Sequence, residues 1–491
     1  MIEPPAENLL TLPERAAQFG TGAFLRGFIE YFLDAANRSG AFSGKVVAIG
    51  STGSGRDEIV NEQDGLYTLA VEGLEHGRAH REFRIISSLS RALSASADWN
   101  EVRALARDPN IELVFSNTTE VGIVLDEDER PASPPRSFPG KLTMFLFERA
   151  RATEYGPAGA ITVIPCELIE KNGDRLREIV FALADRWALG NDFLEWLDSA
   201  VVFCNTLVDR IVPGRPALER IAELEEMLGY RDELLTACEP YRLFAIEAPR
   251  DARDRLGFAV ADPGVVIADD IEPYRLRKVR LLNGSHSLLA PLALQCGVTT
   301  VLEAVTDDDI GEFLRRTMFD ELVPACGASG ASEFAAEVLD RFSNPYIRHA
   351  LIDIMLQATA KMRARVVPTI LDYVRREGRP PELTSFGFAS FLLYQRGDDG
   401  KGGQSPRQAI PADDGAQRIR DLWGATDASA SDGIAQFVDR VCDEQSFWGH
   451  DLRRLPGFNE AVTIHLSKML QHGVRSALSQ LLARSPAGVT Q

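Results

Sequence analysis

Short apolar runs alternate with amphipathic segments along the chain from its first residues to about residue 270. Most of these runs have the length typical of a buried strand, and a helix-like segment, Ala23–Asn37, follows the first of them. This alternation predicts a parallel sheet that is covered by helices on both faces. The predicted strands are Arg15–Phe19, Lys45–Ile49, Glu112–Ser116, Ile161–Ile164 and Ala200–Cys204.

The pattern changes after residue 271, where strand-like runs become rare and helical periodicity dominates. We therefore predict two domains, an α/β domain over residues 1–271 and a mostly α-helical domain over residues 272–491. In the first domain, Tyr67–Val71 and Arg81–Ile86 alternate and predict an antiparallel insertion. In the second, a stretch rich in Gly, Asp and Ser, Gly397–Gly415, predicts a loop. The predicted helices of the second domain include Ile310–Phe319, Ala331–Arg341 and Ile347–Leu371.

The charge of the chain limits its partners. Among 491 residues, 72 are Asp or Glu and 53 are Lys or Arg, which gives a formal net charge of −19. Such a chain is not expected to bind nucleic acid or an anionic membrane surface. A small anionic substrate is still allowed, because a local cluster of Arg and Lys can reverse the field inside a cleft. No apolar run is long enough to span a membrane, and no secretory signal is recognised, so we expect a cytoplasmic protein.

Neither the cysteines nor the histidines predict a metal centre. The six cysteines are scattered without a C-x-x-C pair, as expected of buried thiols in a reducing compartment. His76 and His80 have a metal-like spacing, but they lie in a polar turn between two strand-like runs. We therefore expect solvated histidines and no metal cofactor.

A glycine turn after the first predicted strand is the first sign of a ligand. Gly20-Thr21-Gly22 ends the strand and opens a helix, which is where the pyrophosphate of a dinucleotide binds to free backbone N–H groups. The full G-x-G-x-x-G pattern is not met, because Leu25 stands at the third glycine position. A tight turn without a ligand is the alternative interpretation.

The end of the second predicted strand indicates which dinucleotide is used. Enzymes that use NAD normally have an acidic side chain there, which binds the ribose 2′-OH. Here hydroxyls and a cation come first, at Ser51, Thr52, Ser54 and Arg56, and Asp57 only later. These residues alone favour the 2′-phosphate of NADP.

Polar residues follow three later strands, where α/β sheets bind their ligands. Asn117 begins the segment Asn117–Glu120, and Asn172 lies in a turn after Cys166-Glu167. Asp209 and Arg210 follow the last strand, in the segment Asn205–Pro213. For each of these residues a structural role, such as an Asp–Arg pair that fixes a loop, is an equally good explanation.

The spacing K-x4-N-x2-H, formed by Lys278, Asn283 and His286, brings a proton-transfer group close to two hydrogen-bonding groups. Asn283 and His286 are one turn apart on a helix, and the long side chain of Lys278 can converge on them. These are the parts needed to reduce a ketone without a metal. Three such residues are common on helices, so the spacing alone does not decide the function.

Together these segments make the chain resemble the mannitol dehydrogenase family of polyol-specific long-chain dehydrogenases and reductases. The resemblance extends from about residue 15 to 370 and is weaker beyond. Within the family, Ser116–Glu120 and the Phe-Leu-Arg sequence that ends at Arg26 favour the uronate branch. The segments that carry the resemblance are Gln18–Arg26, Ser116–Ile123, Phe138–Thr143, Pro165–Ile169, Asn205–Pro213, Pro273–His286 and Arg341–Pro345.

The resemblance implies a Rossmann-type domain followed by a mostly helical domain, and a reaction without a metal. Lys278 would be the general acid/base, Asn283 a donor to the developing oxyanion, and His286 a hydrogen bonder that orients the substrate. Leu168 departs from the family, which has an Asn there, and Asn172 is our substitute for that oxyanion donor. Asp209, Arg275 and Lys361 would contact the substrate. The implied cofactor-binding residues are Phe19, Gly20, Thr21, Gly22, Ala23, Phe24, Arg26 and Asn117.

The implied activity is the interconversion of a sugar acid and its keto form, namely D-altronate and D-tagaturonate, with NAD. NADP is not excluded, since the residues from Ser51 to Arg56 favour it. The alternative activity is that of a polyol dehydrogenase, which acts on an uncharged substrate. A clamp of cations that binds the substrate carboxylate would distinguish the two, and its candidates are Arg275, Arg277, Lys361 and Arg363. The arginines could instead balance nearby acidic residues. Fructuronate reduction and a regulatory protein with a dead active site are further alternatives. The chain is expected to be a monomer or a small homo-oligomer.

Overall fold

The computed structural model describes residues 4–50, 55–118, 122–397 and 413–483. The chain divides into two compact units, Met1–Ile271 and Glu272–Gln491. The glycine turn after the first strand belongs to the N-terminal unit, and the Lys278–His286 segment belongs to the C-terminal unit.

Twelve strands lie in the described part of the N-terminal unit. Six of them form one sheet, whose neighbouring strands all run parallel. The strands are β1 (Glu14–Phe19), β2 (Lys45–Gly50), β3 (Tyr67–Glu75), β4 (Arg78–Ile86), β5 (Leu89–Ser94), β6 (Leu113–Ser116), β7 (Ile161–Pro165), β8 (Val201–Phe203), β9 (Asn205–Asp209), β10 (Thr236–Cys238), β11 (Leu243–Glu247) and β12 (Val265–Ala268). The predicted α/β class and all five predicted strands are confirmed, while the edge strand β5 was not predicted.

The order of the parallel sheet is β5-β2-β1-β6-β7-β8, so the chain leaves β1 on one side and returns on its other side at β6. The carboxyl ends of β1 and β6 therefore flank the point where the strand order reverses, which is where open α/β sheets bind ligands. Successive residues of a strand face opposite sides of the sheet. Ala16 and Val46 accordingly belong to one apolar core, and Ala17 and Val47 belong to the core on the other face.

Two small sheets complete the N-terminal unit. β3 and β4 form the predicted antiparallel insertion, joined by a tight turn at His76 and Gly77, and β10 pairs with β3 in parallel. The third sheet has the order β12-β11-β9. Its strand β9 contains the polar segment that sequence patterning placed in a loop, and it pairs antiparallel with β11.

The helices of the N-terminal unit cover both faces of the parallel sheet. The predicted helix Ala23–Asn37 is interrupted at Phe28, whose φ of −131° and ψ of −76° break the helical path. The α-helices are Glu7–Leu10, Ala23–Gly27, Ile29–Ser39, Arg56–Glu62, Trp99–Arg107, Phe138–Ala152, Asn172–Arg186, Asn191–Ala200 and Leu218–Leu228, with 3₁₀ segments at Pro157–Gly159 and Arg250–Ala261.

The C-terminal unit is helical throughout its described residues, as predicted. Its α-helices are Glu272–Arg277, Gly284–Gln295, Val301–Thr306, Asp308–Arg316, Val323–Cys326, Ala331–Phe342, Leu351–Ile354, Ala358–Lys361, Val367–Glu377, Glu382–Arg396, Ala416–Gly424, Gly433–Asp443, Gln445–Trp448, Phe458–His472 and Val474–Leu482, with a 3₁₀ turn at Leu452–Arg454. Three segments are π-helical: Lys278–Asn283, Thr317–Leu322 and Met362–Val366.

One predicted helix of this unit is wrong. Ile347–Leu371 is not continuous, because Gln357 adopts a left-handed conformation with φ of 52° and separates Leu351–Ile354 from the helices that follow. The predicted loop Gly397–Gly415 lies mostly outside the described residues. No helix in the described ranges is both long and apolar enough to cross a membrane.

The helix Gly284–Gln295 is almost entirely buried in the C-terminal unit. It packs closely on Glu382–Arg396, since a Cβ placed on Gly387 would lie 2.7 Å from Leu288 Cδ2. Ring contacts extend this core, with Phe388 lying 5.1 Å from Trp448 and 5.5 Å from Phe458 between ring centroids. The helix that carries His286 is therefore a rigid central element of its unit.

Candidate active site

The glycine turn lies at the carboxyl end of β1, as predicted. The backbone N–H of Gly20 donates to the Ile49 carbonyl at 2.9 Å, which ties the turn to β2. Gly20 has φ of 128°, a conformation that side chains other than hydrogen disfavour. At Gly22, by contrast, an added Cβ would meet no atom of the described residues within 4 Å, and none of their side chains caps the helix that begins at Ala23. The first N–H groups of this helix lie at its positive end, next to Gly22.

A buried polar network fixes the turn from below. Arg26 is 6% exposed; its Nη1 donates to the Thr21 carbonyl at 2.7 Å and its Nε to Thr236 Oγ1 at 3.1 Å. The single proton of the Tyr67 hydroxyl faces two acceptors, the Arg26 carbonyl at 2.7 Å and Glu30 Oε2 at 2.8 Å. Arg26, predicted to bind the cofactor, thus holds the turn that would contact it.

Glu30 and Gln18 complete this network, and neither was singled out in the sequence. Gln18 Nε2 donates to Glu30 Oε1 at 2.9 Å and to the Gly20 carbonyl at 3.0 Å. Burial raises the pKa of Glu30, and it also raises the pKa of Tyr67 well above its ordinary value. The spacing Arg26-x3-Glu30, which puts both residues on one face of the predicted helix Ala23–Asn37, was the only sequence signal for this network.

The other predicted cofactor-binding residues have different surroundings. Phe19 is 3% exposed and packs against Phe138 and Phe145, so its side chain belongs to the core beneath the turn. Ala23 and Phe24 are half-buried at the start of the helix. Asn117 follows β6, where its Nδ2 donates to the Cys166 carbonyl at 2.7 Å.

The segment that favoured NADP is only partly within the described residues. Ser51, Thr52 and Ser54 lie outside them. Arg56 begins the helix Arg56–Glu62 as an exposed residue, and its charge is one cause of the lowered pKa of Arg26, after burial. Arg56 therefore acts electrostatically on Arg26, which holds the glycine turn.

Glu167, at the end of β7, is buried beneath the loop after β6. Its Oε1 accepts hydrogen bonds from the Thr118 N–H at 2.9 Å and from Thr118 Oγ1 at 3.1 Å, and its Oε2 accepts one from Ser116 Oγ at 3.1 Å. Burial raises the pKa of this carboxyl group. Glu167 fixes the start of the segment whose residues Thr119–Val121 lie outside the described ranges.

Asn172, our substitute for the second oxyanion donor, is fully buried. Its Nδ2 donates to the carbonyls of Pro165 and Glu167 and to Thr206 Oγ1, at 2.9–3.1 Å. Its Oδ1 accepts the N–H groups of Gly173 and Thr206, both at 2.9 Å. These bonds use both amide hydrogens and the carbonyl oxygen, so the side chain joins two strand ends. Its role as an oxyanion donor stays a prediction.

Asp209 is the last residue of β9 and Arg210 follows it, and both are buried. Arg210 Nε donates to the Glu239 carbonyl at 2.9 Å and its Nη1 to the Gly27 carbonyl at 2.8 Å, and the guanidinium lies 4.5 Å above the Tyr31 ring. Arg210 therefore fixes the loop, which was the structural alternative for this residue. Asp209 stays a predicted substrate contact.

In the C-terminal unit, Lys278 and Asn283 are the first and last residues of a π-helical turn. The Gly284 N–H donates to the Val279 carbonyl five residues earlier, which is the π pattern. Such turns are rare and occur often at functional sites. Both Lys278 and Asn283 are half-buried. An α-helical wheel misplaces Lys278 relative to His286, because the π turn contains an additional residue.

His286 follows on the same continuous helix and lies in an aromatic clamp. Its ring stacks on Phe342 at 4.1 Å and meets the His349 ring edge-on at 5.0 Å between centroids. Its Nε2 is buried and has no hydrogen-bond partner among the described residues. Burial lowers the pKa of His286 well below its ordinary value, and the charges of His349, Arg365, Arg341 and Lys361 act in the same direction. Phe342 lies within the Arg341–Pro345 motif and His349 follows it, and no other sequence pattern indicated either residue.

The arginines predicted to form a carboxylate clamp have protein partners. Arg275 forms a surface ion pair with Glu272, with Nε 2.6 Å from Oε2. Arg277 Nη1 donates to the Ser329 carbonyl at 2.8 Å. Arg280, which was not part of the predicted clamp, pairs with Asp372 at 2.5 Å. The alternative interpretation, charge balance, thus describes Arg275 well.

The remaining candidates lie around the π turn Met362–Val366. Lys361 Nζ donates to the Ile354 carbonyl at 2.9 Å. Arg363 is exposed, and its Nη1 donates to the Ser446 carbonyl at 3.3 Å. Arg365, two residues further, donates from Nη1 to Ser287 Oγ at 3.4 Å, which brings it to the helix that carries Asn283 and His286.

Comparison with known proteins identifies the family. A model of the mannitol dehydrogenase Rossmann domain matches residues 14–257, and a model of the mannitol dehydrogenase C-terminal domain matches residues 270–470. An altronate oxidoreductase of Bacillus subtilis (strain 168) is 39% identical over 469 residues, which is 95% of each chain. The chain belongs to the mannitol dehydrogenase family. It is thus an oxidoreductase that acts on CH–OH groups.

Other relatives agree. An altronate oxidoreductase of Escherichia coli O7:K1 (strain IAI39 / ExPEC) is 38% identical, covering 96% of this chain and 97% of its own. The ternary complex of Pseudomonas fluorescens mannitol 2-dehydrogenase with NAD and D-mannitol has a TM-score of 0.69 at 26% identity, covering 98% of this chain and 96% of that chain. Substrate-free D-sorbitol dehydrogenase has a TM-score of 0.77 at 22% identity, covering 96% of each chain, and supports the fold alone. The predicted family and fold class are confirmed.

The residues at the glycine turn fit the cofactor class of such dehydrogenases, a nicotinamide dinucleotide. The open space outside Gly22 and the uncapped helix start at Ala23 suit a pyrophosphate. The tight packing inside the turn, where a Cβ on Gly20 would lie 3.0 Å from Leu25 Cδ1, keeps the backbone in that shape.

Proposed function

We propose that the protein is an NAD-dependent oxidoreductase that interconverts D-altronate and D-tagaturonate. The observation that carries this proposal is 39% identity to a curated altronate oxidoreductase over 95% of both chains. The proposal is also supported by three residues on one continuous helix, Lys278, Asn283 and His286. Their side chains suit the interconversion of a carbonyl and an alcohol.

In this proposal the nicotinamide supplies or accepts the hydride, and the residues of the C-terminal unit handle the charge on oxygen. Asn283 donates a hydrogen bond to the oxygen as negative charge develops on it during ketone reduction. Lys278 gives that oxygen a proton, and in alcohol oxidation it takes the proton away. His286, neutral because its pKa is low, orients a hydroxyl through its buried Nε2. Lys361 and Asp209 stay predicted substrate contacts.

The N-terminal unit would bind the dinucleotide at the turn Gly20–Gly22. The N–H groups at the start of the following helix would receive the pyrophosphate, while Arg26 and Asn117 hold the loops around it. NAD is the cofactor we propose, because mannitol 2-dehydrogenase of the same family has been captured with NAD. Arg56, whose charge acts on Arg26, favours NADP as the alternative.

A second candidate is the oxidation of a neutral polyol. The observation in its favour is the 26% identity and TM-score of 0.69 to mannitol 2-dehydrogenase bound to D-mannitol. The two candidates share the proton chemistry and differ in whether the substrate carries a carboxylate.

The test follows absorbance at 340 nm with purified protein, D-altronate or D-mannitol, and NAD or NADP in parallel. Formation of NADH with D-altronate, at a kcat/KM well above that for D-mannitol, is the expected result. Turnover of D-mannitol alone would replace the first candidate by the second. Faster turnover with NADP than with NAD would leave the substrate assignment intact and reverse the cofactor assignment.

A further inference from the structure

An anionic substrate must overcome the charge of this protein. The formal net charge is −19, so a sugar acid is repelled at long range unless cations surround its binding site. If the proposed function holds, one of these cations must recognise the substrate carboxylate.

Arg365 lies against the turn that carries the proposed catalytic residues. Its Nη1 donates to Ser287 Oγ at 3.4 Å, and that hydroxyl donates to the Asn283 carbonyl at 3.0 Å. The backbones are also close, because a Cβ on Gly284 would lie 3.4 Å from the Arg365 carbonyl oxygen. Two π-helical turns thus meet here, one beginning at Lys278 and one containing Arg365.

The groups around His286 create a positive electrostatic potential at its ring. The groups that act on this imidazole are His349, Arg365, Arg341 and Lys361, and all of them disfavour a positive charge on it. The same field favours a negative charge brought to this place. Asp353 is the acidic group that acts on the neighbouring His349, and it acts in the opposite direction.

Other arginines near this helix are directed elsewhere. Arg275 is paired with Glu272 on the surface, and Arg280 is paired with Asp372. Arg363 is exposed and donates to the Ser446 carbonyl. Arg365 is the neighbour of Asn283 that combines partial burial with a guanidinium, which suits a carboxylate through paired N–H donors.

We propose that Arg365 recognises the carboxylate of the substrate and thereby selects a sugar acid over the corresponding neutral polyol. Arg341 and Lys361 supply the supporting positive field, and Ser287 holds the guanidinium beside Asn283. Arg365 is thus a specificity-determining residue, which none of the sequence patterns indicated.

The test compares kcat/KM for D-altronate with kcat/KM for its alditol, D-altritol, in wild type and variants. In Arg365→Gln we expect the ratio to fall about 10- to 100-fold, mainly through a higher KM for D-altronate, because one charge-assisted recognition is lost. Arg365→Lys keeps the charge without the planar fork and is expected to recover part of the ratio. If the Arg365→Gln variant folds poorly, the Arg365→Lys variant provides the comparison with wild type in its place. Arg315→Gln, which removes a surface partner of Glu312, is the matched control and should keep the wild-type ratio.

A ratio that stays at the wild-type value in Arg365→Gln, with the variant folded, overturns this inference and leaves the proposed function standing. A ratio that falls in Arg363→Gln instead assigns recognition to the neighbouring arginine and also overturns it. Failure of the proposed function looks different, since wild type itself would then not oxidise D-altronate with NAD or NADP.

Discussion

The two glycines of the turn after β1 should respond to the same substitution in opposite ways. Gly22 has φ of −70° and ψ of 158°, which alanine adopts without strain, and its new Cβ would lie more than 4 Å from every atom of the residues that the structure describes. Gly22→Ala is therefore expected to leave the free energy of unfolding unchanged or to raise it by about 0.4–1 kcal/mol. If the open space receives the pyrophosphate, the same methyl group must weaken dinucleotide binding.

The size of that loss can be bounded. The attraction between an anion and a helix N-terminus reaches about 2 kcal/mol in favourable geometry, so displacing the pyrophosphate should raise Kd by up to roughly 30-fold. Gly20→Ala has the opposite profile. At φ of 128° a Cβ is strained by about 1–3 kcal/mol, and it would also lie 3.0 Å from Leu25 Cδ1 and 3.2 Å from the Asn117 carbonyl oxygen.

The assay is isothermal titration of NAD and NADP into each variant, with urea denaturation of the same samples. Gly22→Ala should bind weakly and unfold like wild type, whereas Gly20→Ala should unfold at a lower urea concentration. Wild-type affinity in a stable Gly22→Ala variant would mean that the pyrophosphate does not approach this backbone. The cofactor assignment of the turn would then be wrong.

Three further predictions test the assigned roles. Lys278→Ala should lower kcat by about 10²–10⁴-fold, as expected for loss of a general acid/base, while calorimetry finds the NAD affinity nearly unchanged; equal loss of both would contradict the role. Asn172→Ala should lower the free energy of unfolding in urea by about 1–3 kcal/mol, since it leaves buried partners such as the Thr206 N–H unpaired. Because burial lowers the pKa of His286 in the folded protein, the unfolded chain is the first to bind a proton at this residue as the pH falls below about 6.5. The free energy of unfolding should therefore drop by up to about 1.4 kcal/mol per pH unit. His286→Gln should make the slope shallower, and an unchanged slope would refute this account.

The sheet could be predicted from the sequence because its strands are short apolar runs separated by helix-like segments. The strand β5 was missed, since Ser90 and Arg91 interrupt its apolar pattern and make it look like a loop. The break at Gln357 and the interruption at Phe28 were missed for a different reason. Apolar periodicity continues across both positions, and the backbone conformation that ends the helix is decided by packing that the sequence does not show.

The candidate site likewise contains residues that could be predicted from the sequence and residues that could not. Residues with local spacing, namely the glycine turn and the Lys278–His286 segment, could be singled out from the sequence. Residues that act through tertiary contacts could not, as shown by Arg365, whose hydrogen-bond partner Ser287 is 78 residues away. The sequence predicts a role for Asn172 from its amide and its place after a strand, while its hydrogen bonds to Thr206 and to two carbonyls become visible only in the fold.

The state of His286 decides how the proton chemistry is shared in the C-terminal unit. An acid or base works best when its pKa lies near the working pH, and burial together with the surrounding cations moves the pKa of His286 away from it. The imidazole is therefore neutral at neutral pH and serves as a hydrogen bonder, which leaves proton transfer to Lys278. The profile of kcat against pH between about pH 6 and 9 should consequently keep its shape in His286→Gln while its height falls. A profile that loses an ionisation in this variant would assign the proton to His286 and reverse the two roles.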